Sequence, residues 1–198
     1  MKKIYFFICA LMLCATTMVQ GQGGGQTSVT YAFGFPMGDL GEFIESVSYR
    51  GVTIDFRSMA KENLGIGVSL GWNVFYEEKD YDTYTAGNAS LSGKQFRYSN
   101  HVPMLVSADY YFKPLEKINP FIGLGTGVVY TRRNTDMNLY TIEQEAWNFA
   151  LQPEIGIQIQ NDFSSGFTIM AKYYNGFAAG DLPENQSYLT LNVGMVFR

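Results

Sequence analysis

Charge is scarce in this 198-residue chain. Lys, Arg, Asp and Glu together make up 16% of it, where an ordinary soluble domain carries about 25%. The 14 basic residues are outnumbered by 18 acidic ones, a net charge of −4, which excludes a basic nucleic-acid binder. Disorder is excluded as well, because disordered chains are poor in aromatics and aromatics here reach 16%. Cysteine is limited to Cys9 and Cys14, proline to six residues, and the 21 glycines follow no collagen-like period. Long hydrophobic runs are also missing. The run from Ile4 to Cys14 has eleven residues, well short of the about 20 that a membrane-spanning helix needs.

That run has its own explanation. Lys2 and Lys3 precede it, and Ala15-Thr16-Thr17-Met18-Val19-Gln20-Gly21 follows it. A basic start, a short apolar segment and a small residue at the cut form a secretory leader, with cleavage expected after Gly21. The expected organisation is therefore a cleavable signal peptide over 1–21, a short Gly/Gln tail over 22–26 and a single domain over 27–198. Both cysteines lie in the leader, so disulfides and cysteine–metal sites are excluded from the mature chain. Leu13 is bulkier than the Gly or Ala that lipidation signals place before the cysteine, which argues against an anchor at Cys14. Loss of Lys2 and Lys3 takes the formal charge from −4 to −6.

The remainder alternates with a period of two, the signature of β-strands. From Leu64 to Tyr76, the residues Leu64, Ile66, Val68, Leu70, Trp72, Val74 and Tyr76 share one face, while Gly65, Gly67, Ser69, Gly71, Asn73 and Phe75 share the other. Ile122, Leu124, Val128 and Tyr130 oppose Gly123, Gly125 and Gly127 in the same way, and the pattern recurs from Leu189 to Phe197. Five further segments, 28–36, 48–57, 102–112, 146–159 and 167–175, bring the expected count to eight strands of about ten residues. That length crosses a bilayer at about 45° tilt. The stretch 77–101 is expected to be an outer loop, because Glu77-Glu78-Lys79-Asp80 is ill suited to lipid.

A lipocalin-like soluble barrel also alternates, but it turns its polar face to water. Here the less greasy face is Gly, Ala, Ser and Asn, suited to the cramped interior of an eight-stranded barrel, and the aliphatic face carries almost no charge over its centre, as hydrocarbon requires. Arg50 is the outward exception, near a strand end from which it can snorkel. The fold expected is all-β: an eight-stranded antiparallel up-and-down transmembrane β-barrel. Short connections near 58–63, 113–120 and 160–166 alternate with longer ones near 37–47, 77–101, 132–146 and 176–187, matching periplasmic turns and outer loops. With that orientation the lipid-facing aromatics fall at two heights. Phe56, Tyr110, Phe112, Phe167 and Phe197 form a periplasmic girdle, and Trp72, Tyr76, Tyr130, Trp147, Phe149 and Tyr173 an outer one.

The strand pattern, the glycine-rich segments Leu64-Gly65-Ile66-Gly67-Val68 and Phe121-Ile122-Gly123-Leu124-Gly125, and the terminal strand Leu189 to Phe197 resemble the eight-stranded OmpA/OmpX/OmpW-type outer-membrane barrels of Gram-negative bacteria over about 26–198. The resemblance implies residence in the outer membrane after export through the periplasm. Its implied partners are outer-membrane lipids, lipopolysaccharide and the barrel-assembly machinery, which reads a terminal aromatic; here Phe197 is penultimate, with Arg198 after it. Inside such a barrel the ionisable residues would be Asp55, Arg57, Asp109, Glu154 and Lys172. Glu154 and Lys172 lie nine residues either side of position 163, the centre of a short hairpin, and so should pair across it.

A plugged lumen, with outer loops serving surface interaction or envelope integrity, is the expected function. The alternative is a narrow pore or a lateral route for small or hydrophobic solutes. A lipid A-modifying enzyme is the third reading, but the lone histidine, His101, is expected to be a solvated residue at the outer rim. It has no His-x-Ser arrangement, since Val102 and Pro103 follow it, and a nucleophile needs an oriented base. The acid- and tyrosine-rich run Tyr76 to Tyr84 reads as a solvated loop, as a bridge to lipopolysaccharide through divalent cations, or as a contact surface for an extracellular partner. No cofactor, resident metal or nucleic-acid partner is expected.

Overall fold

A computed structural model describes residues 24–86, 89–161 and 164–198; the expected leader lies outside them. The chain forms β1 (Gly25–Met37), a short helix α1 (Gly38–Phe43), β2 (Gly51–Lys61), β3 (Leu64–Ala86), β4 (Ala89–Tyr111), β5 (Ile118–Met137), β6 (Tyr140–Gln160), β7 (Ser165–Gly176) and β8 (Gln186–Phe197). The eight strands pair antiparallel in sequence order, and β1 closes the ring on β8, with Thr27 opposite Phe197 and Met37 opposite Ser187. Closure satisfies every strand edge within the ring, which is the condition for sheet structure in hydrocarbon.

Parity sorts the side chains as the alternation demands. In β2, Val52 and Phe56 point outward with about two-fifths of their surface exposed, while Thr53, Asp55 and Arg57 are buried in the bore. Glycines let the narrow interior accept larger neighbours. A Cβ at Gly123 would stand 2.3 Å from Asp109 Oδ1 and 2.8 Å from Glu154 Cγ.

The outer half differs from the sequence expectation. β3 and β4 each run for 23 residues, about twice a membrane crossing, so 77–101 is a hairpin rather than a loop. The supposed loop 132–146 is likewise strand, turned at Asn138-Leu139 with Asn138 in the left-handed region at φ 51°. The hairpin continues existing strands beyond the closed ring and leaves the count at eight, so the acids of this region lie on an extension of the wall and not on two additional strands. Beyond the closed ring both sheet faces are open to water, so polar residues on both faces erase the hydropathy alternation while the ladder goes on. The opposite side of the barrel stays low: α1 and the connections 44–50 and 177–185 take the place of strands there.

Candidate functional site

The bore is built in three layers. At the end where β1 begins and β8 ends, Gln26 donates to the Tyr111 hydroxyl at 2.5 Å, and the Arg198 guanidinium turns inward to the side-chain oxygens of Gln26 and Gln158, at 3.4 and 3.5 Å. Below them a cavity of about 480 Å³ opens outward, lined among others by Met59, Lys61, Tyr111 and Leu115.

The middle layer gathers all five ionisable residues that the sequence places inside. β2 supplies Asp55 and Arg57, β4 Asp109, β6 Glu154 and β7 Lys172. The register sets Glu154 directly opposite Lys172. Lys172 Nζ lies 2.7 Å from Asp55 Oδ1 and 3.2 Å from Glu154 Oε2, and 3.4 Å from Ser69 Oγ. Arg57 donates through Nε to Asp109 Oδ2, and its Nη2 reaches Asp55 Oδ1 and Glu154 Oε1, each at 3.4 Å. Gln152, absent from the sequence expectation, donates to Glu154 Oε2 at 2.6 Å. The space left beside this cluster is about 10 Å³, the room of roughly one water at most. Charges this deep are tolerable only when paired and hydrogen-bonded; each of the five has at least one ion-pair partner, and Asp109 Oδ1 is the carboxyl oxygen of the cluster left without a hydrogen-bond partner.

The outer layer is apolar and aromatic. Tyr174 stacks on Tyr188 with centroids 4.7 Å apart, and Phe75 packs on Tyr188 at 5.3 Å. Leu105, Val129 and Ala150 complete the chamber, and Leu40 and Ile44, from α1 and the residue after it, fill it from above with no exposed surface. Phe43 lies between two guanidiniums, with Arg133 4.1 Å and Arg97 5.0 Å from its ring centre. Arg97 also donates to the Phe43 carbonyl at 2.8 Å, and Arg133 pairs with Glu184 at 3.0 Å. Sequence reasoning missed this layer, although the parity that sends Lys172 inward also sends Tyr174 inward, and that of Thr190 does the same for Tyr188.

His101 overturns its expectation. It is not a solvated rim residue but lies in β4 with no exposed surface, 5.4 Å from Phe75 and 5.0 Å from Tyr188 between ring centres. Its Nε2 is 2.9 Å from Ser99 Oγ and its Nδ1 3.3 Å from Thr131 Oγ1. Ser99 is equally buried, and the partner of Nδ1 is a hydroxyl where an orienting acid would stand. The reason for the miss is the length of β4: a residue placed at a strand end lies near its middle.

On the lipid side, Phe56, Tyr110, Phe112, Phe167 and Phe197 are all exposed, as are Trp72, Trp147 and Phe149. Tyr76, Tyr130 and Tyr173 share the outward parity and are half-buried, Tyr76 against Tyr98 at 4.8 Å and Tyr130 against Trp147 at 5.1 Å. Beyond the outer aromatics the charges pair locally: Glu77 and Glu45 with Lys79, at 3.2 and 3.1 Å, Glu78 with Lys94 at 2.5 Å, and Glu143 with Arg132 at 2.8 Å. The hydrogen bond that Lys79 donates to Glu45 holds its ammonium above the usual lysine range. Among the described residues no group of three or more His, Cys, Asp or Glu could hold a metal ion.

No protein-family model matches this sequence, and no curated protein matches it. Solved structures do. The outer membrane protein OprG from Pseudomonas aeruginosa superposes with a TM-score of 0.54 at 13% identity, covering 90% of this chain and 97% of that one. Ail of Yersinia pestis, solved with the heparin analogue sucrose octasulfate, gives 0.52 at 14% identity over 89% of this chain and 100% of that one. Neisserial surface protein A gives 0.50 at 12% identity over 87% and 94%. The chain therefore has the fold of the eight-stranded outer-membrane β-barrels of the OmpA/OmpX/OmpW type.

Proposed function

We propose that this chain is an integral outer-membrane protein, exported with removal of the segment 1–21, whose bore is closed and whose work is done by its outer strands and loops in surface interaction or envelope integrity. The observation that carries this reading is the filled lumen. Five side chains joined by ion pairs and hydrogen bonds leave about 10 Å³ at mid-height, and an aromatic layer capped by Leu40 and Ile44 lies above them. Two apolar girdles fit a band of hydrocarbon between headgroup layers. The tall wall of β3 to β6 carries exposed apolar residues near its far end, Tyr81, Leu139, Tyr140 and Ile142, the kind of surface that recognition favours over solubility. Catalysis has no support in an accessible nucleophile, since the Ser99–His101 pair is sealed in the core.

Planar-bilayer recording of the refolded protein tests the closed bore. A silent membrane at protein levels that insert a known porin is expected. Steady single-channel steps would replace this reading with that of a narrow pore.

A further inference from the structure

The middle layer holds two cations and three carboxyl groups, all more than nine-tenths buried, in a space with room for roughly one water. An unbalanced ion in so dry a site is far costlier than a neutral group. The geometry shows where the imbalance falls. Asp55 accepts from Lys172, Arg57 and Ser28, and Glu154 from Lys172, Arg57 and Gln152. Asp109 accepts from Arg57 on Oδ2 alone; its Oδ1 is buried with no partner. Asp109 and Glu154 sit on either side of Gly123 in one cross-strand row. With no side chain between them, their carboxyl groups converge: Asp109 Oδ1 and Glu154 Oε1 lie 2.3 and 3.0 Å from the point where a Gly123 Cβ would stand.

We infer that Asp109 is an undissociated carboxylic acid in the folded barrel, its Oδ1 hydroxyl donating to Glu154 Oε1, so that the plug is electrically neutral and the pair stores one proton. The charged or titratable groups facing this pair are Asp55 and Arg57 from β2, Tyr111 from β4, and Lys172 and Tyr174 from β7; β1, β3, β5 and β8 present only uncharged residues at this level. Arg57 and Lys172 are balanced by Asp55 and Glu154, which leaves the third carboxyl group to the proton. The folded state then binds a proton that the unfolded chain releases at neutral pH, so stability falls as pH rises, by up to tenfold in the folded:unfolded ratio per pH unit for one proton.

Infrared spectroscopy of the full mature protein in micelles, in H2O and D2O at pH 7, reads the proton directly. A carbonyl band of an undissociated carboxyl group, shifted in D2O, is expected in the unaltered protein and is lost in Asp109→Asn. That variant places a neutral amide where a neutral acid stood, so it keeps the urea midpoint below about pH 4, where Asp109 is protonated folded and unfolded, and flattens the decline above it. Asp55→Asn removes a true anion and lowers the folded:unfolded ratio at least tenfold. A wild-type spectrum without the band, or a band surviving in both Asp109→Asn and Glu154→Gln, overturns the assignment, and the wild-type spectrum decides even where a variant does not fold. A conducting channel would refute the closed bore without touching this result.

Discussion

Replacing Lys172 with Met shortens the side chain by one atom and deletes its charge. Lys172 has no exposed surface, so solvent does not screen what is lost. At 2.7 Å from Asp55 and 3.2 Å from Glu154, the two attractions are worth roughly 6 and 5 kcal/mol before desolvation, at an effective dielectric of about 20. Most of that gross figure is offset by the cost of burying the ammonium. Breaking a buried pair from one side nevertheless leaves uncompensated charge, and the net loss is expected at about 3–5 kcal/mol. This is a drop of between about a hundred- and a few-thousand-fold in the folded:unfolded ratio. Urea unfolding in micelles, followed by tryptophan emission and by heat-modifiable migration in gels, measures it. The double variants Lys172→Met/Asp55→Asn and Lys172→Met/Glu154→Gln restore part of the loss, because each also removes a stranded anion, and the cycles should show coupling of about 0.5–3 kcal/mol. An unchanged midpoint in Lys172→Met would mean that the cluster carries no stability, and the account of the bore would fail with it.

Gly67→Ala brings a Cβ to 1.7 Å from the Phe56 carbonyl oxygen in the adjoining ladder, whereas Gly24→Ala meets nothing within 4 Å; the first is expected to abolish refolding and the second to leave it intact, and equal yields would refute the close packing of β2 on β3. Phe43→Ala removes the ring held by Arg97 and Arg133, contacts worth about 1 kcal/mol each. Faster proteolysis within 38–47 with little change in the urea midpoint is expected, and unaltered cleavage would show that the clamp does not hold α1. Leu139→Ser combined with Tyr140→Ser leaves folding unchanged, since both residues are largely exposed, and lowers attachment of cells displaying the protein to surfaces; undiminished attachment would place the contact elsewhere.

The membrane-spanning half was legible because lipid outside and a narrow bore inside impose opposite demands on alternate residues. Val52, Ile54 and Phe56 against Thr53, Asp55 and Arg57 are enough to orient β2. Hairpin symmetry about 163 carries as far as the Glu154–Lys172 pairing, since an antiparallel register is fixed by its turn. The convergence of Arg57 with Asp109 and Glu154 was legible only as shared parity, because their height in the bore depends on the stagger between strands, which no single strand records.

The outer half was not legible for a different reason. Where β3 and β4 leave the bilayer, water bathes both faces, and Glu77, Glu78, Lys79 and Asp80 are as compatible with a ladder as with a loop. The ladder continues because backbone hydrogen bonds from Tyr76–Tyr98 up to Ala86–Ala89 need no hydropathy contrast. That continuation moved His101 from a supposed rim into a sealed aromatic layer, and it gave Leu40, Ile44 and Phe43 a wall to pack against. Those three side chains lie in a segment with neither a period of two nor a capping residue, and their burial is a tertiary fact: an apolar chamber of Phe75, Tyr174 and Tyr188 open at one end would otherwise face water, and α1 and Ile44 supply apolar side chains free of the ladder to cover it. Closure of the bore therefore rests on both halves at once, with paired charge below supplied by the readable strands and an apolar cap above supplied by the unreadable connection.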